Sequence, residues 1–133
     1  MNTRIILTLS AILLAVVGIS LSFLPEEISH FLVVDNSPIF HLLLQITGAL
    51  FFAFAMLNWM AKGSIIGGIY NRPLAVANFT HFAIGSLALL KAVLRHHDLP
   101  SAIWAITFGY CLLAVLFARI LFRSPAIEKN ANT

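Results

Sequence analysis

Four long stretches without a charged residue constrain this chain more than any other feature. Lys, Arg, Asp and Glu are all absent from residues 5–24, 36–61, 73–90 and 99–118. Each stretch is about as long as the ~20 residues that a helix needs to cross ~30 Å of hydrocarbon. The chain has 133 residues, and these stretches account for most of its length. Of all its residues, 60% are apolar. The sequence therefore predicts an all-α fold, an integral membrane four-helix bundle that forms one domain over residues 1–133.

Prolines and capping residues predict where the four helices begin and end. Ser37 and Pro38 suit the start of the second helix, while Pro25 ends the first. The segment "EEISHFLVV" between them is expected to be a short amphipathic piece on the membrane surface. The predicted spans are residues 5–24, 38–61, 73–94 and 100–122.

The N-terminal apolar run resembles a signal peptide in part, because Arg4 precedes it and a small-residue pattern lies at Gly18–Ser20. However, the run is about 20 residues long, whereas the apolar region of a signal peptide usually has about 7–15. We therefore expect it to be retained as the first membrane span.

The distribution of basic residues predicts the orientation in the membrane. Four spans place both termini on one side, together with six of the eight basic residues, Arg4, Lys62, Arg72, Arg119, Arg123 and Lys129. The other two, Lys91 and Arg95, fall on the opposite side. The positive-inside rule then predicts that both termini are cytoplasmic. Since the basic residues flank the spans, they favour the lipid bilayer as a partner and not nucleic acid.

Small residues predict the faces through which the helices contact each other, because association in lipid depends on close packing. The first span carries such a stripe at Ala11, Ala15, Gly18 and Ser22, and the fourth at Thr107, Cys111, Ala114 and Ala118. We expect these stripes to point into the bundle and the bulky residues to face lipid.

Polar side chains inside the second and third spans mark a candidate site. His41, Gln45 and Gly48 share one face of the second span. On the third span, Asn78, His81 and Gly85 share a face in the same way. Each face also carries a glycine, so both are predicted to point into the bundle.

The rise of 1.5 Å per residue gives the depth of these groups. It places His81 about 12 Å above the inner end of the third span and Tyr110 about 15 Å below the outer end of the fourth. A central group could therefore form from Gln45, His81, Thr107 and Tyr110, and Asn58 could approach Asn78. The candidate ligand-binding residues are Asn78, His81, Gln45, His41, Asn58, Thr107 and Tyr110. They would either bond to one another and hold the helices together, or form a ligand site or proton pathway.

Several function classes lack the residues that they need. No carboxylate lies in a span, which argues against a carboxylate-driven exchanger. The single cysteine, Cys111, argues against a thiol–disulfide enzyme. The histidines assigned to the outer side include the adjacent pair His96 and His97, which diverge by about 100° on a helix, so no metal site is predicted. The acids lie at the span edges, away from any serine–histidine pair. The sequence leaves open whether the chain is an enzyme and favours a protein without enzymatic activity of its own.

Two segments of the chain resemble a known family. These are "ITGALFFAFAMLNWMAKG" in the second span and "NRPLAVANFTHFAIGSLALLK" in the third. They resemble the DoxX-like group of small four-helix bacterial membrane proteins at Gly48, Asn58, Asn78, His81 and Gly85. The resemblance implies a multi-pass protein of the bacterial inner membrane. Some members of that group are linked to quinone-coupled sulfur oxidation, so it also implies a quinone as a candidate cofactor.

Three functional hypotheses follow. The leading one is a membrane protein that binds a partner, lipid or small apolar ligand at a polar centre between helices, with Asn78 and His81 in that centre. The second is a membrane subunit of a quinone-linked oxidoreductase, in which His81 hydrogen-bonds a quinone carbonyl. The third is a small transporter or channel that works as an oligomer, because four short helices rarely enclose a pathway alone. Its partners would be further copies of the chain or another membrane protein.

Overall fold

A computed structural model of the chain describes residues 3–32, 37–63 and 72–122. These residues form α-helices and contain no strand. In chain order the helices are α1 (Thr3–Phe23), α2 (Pro25–Leu32), α3 (Pro38–Ala61), α4 (Arg72–Arg95) and α5 (Ser101–Phe122). All except α2 are long and apolar enough to cross a membrane, as expected of a multi-pass membrane protein.

The four long helices begin and end within two residues of the predicted spans. Ser37 caps α3, because its hydroxyl accepts a hydrogen bond from the Phe40 backbone N–H at 3.3 Å. Pro38 follows in the first turn, where its missing N–H costs nothing. The predicted amphipathic piece is helical as α2, although Val33 and Val34 lie outside the described residues.

The contacts between helices divide the chain into two units, and the unit Leu7–Gly63 contains most of α1 together with α2 and α3. Gly18 of α1 and Gly48 of α3 bring the two backbones together. A Cβ added to Gly18 would stand 2.8 Å from the Gly48 carbonyl oxygen and 2.7 Å from the Phe52 nitrogen. The small residues predicted to face inward on α1 therefore include a true backbone contact at Gly18.

The short helix α2 packs against α3 in the same unit. Its buried residues are Pro25 and Ser29. The Ser29 hydroxyl donates to the Pro25 carbonyl at 2.7 Å, so this hydroxyl is buried with a partner in its own helix. Glu26 and Glu27 are exposed in the first turn, where negative charge suits the N-terminal end of a helix.

The other unit contains α4 and α5, which pack against each other. Aromatic rings fill their contact. Phe82 of α4 stacks on Phe117 of α5 with ring centroids 5.6 Å apart and planes 10° apart, and neither ring is exposed. The two rings are thus part of the core of this unit.

The prediction that the small residues of α5 point inward and its bulky residues face lipid is wrong in part. The buried residues of α5 are Thr107, Tyr110, Leu113 and Phe117, three of them bulky. In the predicted small-residue stripe, only Thr107 is buried, while Cys111, Ala114 and Ala118 are partly buried. The large side chain of Tyr110 can occupy the contact face of α5 because Gly85 of α4 leaves space there.

Candidate functional site

A histidine and a tyrosine on neighbouring helices form the centre of the candidate site. The His81 Nε2 and the Tyr110 hydroxyl are 3.2 Å apart and share a hydrogen bond. Tyr110 is only 3% exposed, whereas His81 is partly exposed. The pair therefore runs from the surface of the α4–α5 unit into its interior.

Gly85 makes room for the tyrosine. It lies one turn after His81 on α4, and the ring of Tyr110 packs directly against its backbone. No larger residue would leave that space, so the glycine determines how far the phenol can reach along α4. The hydrogen bond to His81 then fixes where the hydroxyl ends.

One phenylalanine ring contacts both members of the pair. Phe82 meets Tyr110 at a centroid distance of 5.1 Å and the His81 ring at 5.1 Å, both with T-shaped geometry. Edge-to-face contacts of this kind are favourable, and they orient the rings that they join. Because Phe82 is also stacked on Phe117, the polar pair rests on an apolar base that is closed to solvent and lipid.

Two further candidates on these helices bond to their own backbones. The Asn78 amide donates to the Leu74 carbonyl at 3.0 Å, and the Thr107 hydroxyl donates to the Ile103 carbonyl at 2.7 Å. Both side chains are buried. Such bonds let a polar residue lie in an apolar helix contact without an unpaired group.

The candidates on α3 lie in the other unit. Asn58 is fully buried, and its amide donates to the Ser10 hydroxyl of α1 at 3.0 Å. Ser10 in turn donates to the Leu7 carbonyl at 2.9 Å. The expected approach of Asn58 to Asn78 stays a prediction.

The other two α3 candidates are less enclosed. His41 is partly buried, whereas Gln45 is exposed. The expectation that Gln45 points inward is therefore wrong, although Gly48 on the same predicted face is buried. A place for Gln45 beside His81 stays a prediction without support.

The sequence did not single out the partner of Asn58. Ser10 belongs to the buried face of α1 with Leu7, Ala11 and Leu14. The sequence did offer a signal, because Ser10 lies on the same helix face as these apolar residues. A buried hydroxyl needs a hydrogen-bond partner.

The arrangement can hold a neutral hydrogen-bonding group. A tyrosine hydroxyl can donate one hydrogen bond and accept two, so the bond to His81 uses only part of its capacity. Among residues 3–32, 37–63 and 72–122, no buried side-chain nitrogen or oxygen lacks a hydrogen-bond partner. In the same ranges no three His, Cys, Asp or Glu residues come together as metal ligands would. The buried polar side chains of the described residues are thus all hydrogen-bonded.

No protein-family model, curated protein or solved structure matches the chain.

Proposed function

We propose that this chain is a multi-pass protein of the bacterial inner membrane that binds a small apolar molecule or lipid at His81 and Tyr110. The ligand would carry a carbonyl or hydroxyl oxygen, which is the group that an imidazole and a phenol can bind in an apolar setting. The apolar remainder of the ligand would lie along α4 and α5 within the membrane. We also propose that the chain belongs to the DoxX-like group, whose resemblance at Asn78 and His81 agrees with a site at this position.

One observation supports the proposal most. Of the two hydrogen-bonded groups, the phenol is buried and the imidazole reaches the surface of the α4–α5 unit. A pair that only joined the helices could be enclosed on both sides, as Asn58 and Ser10 are. Polar residues in membrane spans mark functional sites by default when they face a neighbouring helix and remain accessible.

A quinone is the more specific candidate ligand. Its head group offers a carbonyl oxygen at each end of a flat ring, and the aromatic edges around His81 suit a flat ring. This hypothesis makes the chain a membrane subunit of a quinone-linked oxidoreductase. The transporter hypothesis rests on its sequence argument alone.

Thermal unfolding with added ligand tests the proposal. Purified protein in micelles is titrated with a short-chain benzoquinone and, separately, with a short-chain phospholipid. Ligand at about 100 times its Kd stabilises the folded state by about 2.7 kcal/mol, which raises the melting temperature. We expect this rise in the wild type and in Thr80→Ala, an exposed neighbour on α4. His81→Ala is expected to show no rise.

Two results would contradict the proposal. One is a wild type whose melting temperature neither compound changes, while His81→Ala lowers the melting temperature of the free protein. The pair would then be purely structural. The other is an equal rise in the wild type and His81→Ala, which would place binding elsewhere.

A further inference from the structure

The exposed amide of Gln45 is a polar group on the part of α3 that must lie in hydrocarbon. Gln45 is exposed in the single chain, and the large side chains around it, including Leu42 and Ile46, are exposed and apolar. Such a face suits lipid except at the amide. An amide in hydrocarbon without partners is unfavourable because it loses the hydrogen bonds that water gave it.

The depth of Gln45 can be measured from the other end of α3. There the Lys62 Nζ lies 2.8 Å from the ring centroid of Trp59, a pair of the kind that anchors helices at the membrane interface. Gln45 precedes Trp59 by 14 residues, or roughly 21 Å at 1.5 Å per residue. With a hydrocarbon core of ~30 Å, Gln45 lies about 9 Å inside the opposite boundary. Its side chain is too short to bring the amide to water from there.

We propose that Gln45 is the centre of a contact between the α3 helices of two copies of this chain, in which the two Gln45 amides hydrogen-bond to each other. Copies inserted in one orientation are related by a two-fold axis along the membrane normal. That axis brings the same residue to the same depth on both sides. A primary amide has both N–H donors and a carbonyl acceptor, so two of them can exchange two hydrogen bonds.

A second copy of the chain is the partner that best fits the Gln45 face of α3, because that face requires a specific partner. The partner must present a donor and an acceptor together, about 9 Å inside the hydrocarbon boundary, on an otherwise apolar helix. Identical chains satisfy all three conditions without any further adjustment. Ala49, one turn after Gln45, is also exposed and small, and it would let the two helices approach. This inference does not depend on the ligand site at His81 and Tyr110.

Cysteine cross-linking in membranes tests which face forms the contact. The background is Cys111→Ala, which removes the only cysteine. In that background Gln45→Cys and Leu43→Cys are compared. Leu43 is exposed and about 3 Å away in depth, but it lies roughly 200° around the helix. We expect an oxidant such as copper phenanthroline to convert the Gln45→Cys protein into a covalent dimer and to leave the Leu43→Cys protein monomeric.

A second experiment measures dimerisation of the wild type, which keeps Gln45, and does not depend on the cysteine variants. Single-molecule fluorescence in liposomes reports the dimer fraction as the protein density changes. Hydrogen bonds between membrane helices contribute modestly, so we expect Gln45→Leu to weaken dimerisation by roughly three- to twenty-fold. Gln45→Asn keeps an amide and is expected to restore most of the association. Circular dichroism confirms that each variant remains helical.

Three results would overturn the inference. These are a wild type that stays monomeric at every density, a Gln45→Leu variant that dimerises like the wild type, and equal cross-linking of the Gln45→Cys and Leu43→Cys proteins. The first would also mean that lipid or a different protein covers the amide. The other two would move the contact to another face.

Discussion

The ring of Tyr110 lies so close to Gly85 that a Cβ on this glycine would stand 2.7 Å from the tyrosine Cε1 and 2.8 Å from Cδ1. Real Cβ atoms do not approach other atoms that closely, so the ring could not keep its place beside an alanine. The phenol is tied to His81 at its far end. A methyl group at position 85 would therefore disturb the ring and the hydrogen bond together.

We expect Gly85→Ala to destabilise the protein by about 1–3 kcal/mol, the usual cost of overpacking. Alanine is a better helix former than glycine, which would by itself stabilise α4 by about 1 kcal/mol. A loss despite this gain would identify the contact with Tyr110 as its cause. Thermal unfolding in micelles measures the effect. Gly63→Ala is the control, because a Cβ there has no atom within 4 Å. A Gly85→Ala protein at least as stable as the wild type would contradict the described contact.

Gly18→Ala tests the contact between α1 and α3. The atoms that an added Cβ would meet are backbone atoms of Gly48 and Phe52, which cannot move without moving the helix. We expect a larger loss of stability than for Gly85→Ala, because a side chain yields more easily than a backbone. Thermal unfolding of both variants in the same micelles shows which of them loses more stability. The reverse order would show that α1 and α3 are not in backbone contact at Gly18.

The bond between Ser10 and Asn58 can be measured by a double-mutant cycle with Ser10→Ala and Asn58→Ala. Hydrogen bonds between membrane helices average about 0.6 kcal/mol and reach about 1.7. We expect a coupling free energy in this range, because both side chains are buried and 3.0 Å apart. The control cycle pairs Ser10→Ala with Thr47→Ala, an exposed polar residue of α3. Equal coupling in the two cycles would contradict a direct bond.

Phe82→Ala should open a cavity in the α4–α5 unit. In water-soluble proteins such a change costs about 3–5 kcal/mol, part of which is transfer of the ring to water. Between membrane helices the alternative to the core is lipid, which is also apolar, so we expect a smaller loss. Phe108→Ala is the control, since Phe108 is 73% exposed and should change stability little. Thermal unfolding compares them, and equal losses would mean that the Phe82 ring is not enclosed.

Much of the secondary structure could be predicted from the sequence. Charges and prolines bound the apolar segments, and each segment is long enough for a span, so the helix ends follow from local chemistry. Ser37 and Pro38 act as a helix start in the way that their side chains dictate. These signals do not depend on what the helix later packs against.

Which face of a helix is buried was harder to predict. On α1 the small residues mark the contact, because Gly18 meets a backbone. On α5 the aromatic side chain of Tyr110 occupies the contact instead, since Gly85 on α4 provides the space that a small residue of α5 would otherwise provide. The small residue of a contact can lie on either helix, so one helix alone does not reveal which of its faces is buried.

The candidate site was predicted in part. Counting residues from opposite ends placed His81 and Tyr110 at similar depths, and the structure joins them by a hydrogen bond. The same count could not give rotation about the helix axis for Gln45, which is exposed. Nor could the residue count distinguish a hydrogen bond between helices from one within a helix. Asn78 and Thr107 each donate a bond of the second kind, to a backbone carbonyl of their own helix.

Ligand binding at His81 and Tyr110 is measured by native mass spectrometry of the protein released from micelles, with the wild type compared to Tyr110→Phe. This variant keeps the ring against Gly85 and removes only the hydroxyl that bonds His81. We expect the wild type to carry a bound small molecule of defined mass, and the variant to carry much less of it while remaining folded. A wild type without any adduct, or an equal adduct on both proteins, would contradict this proposal.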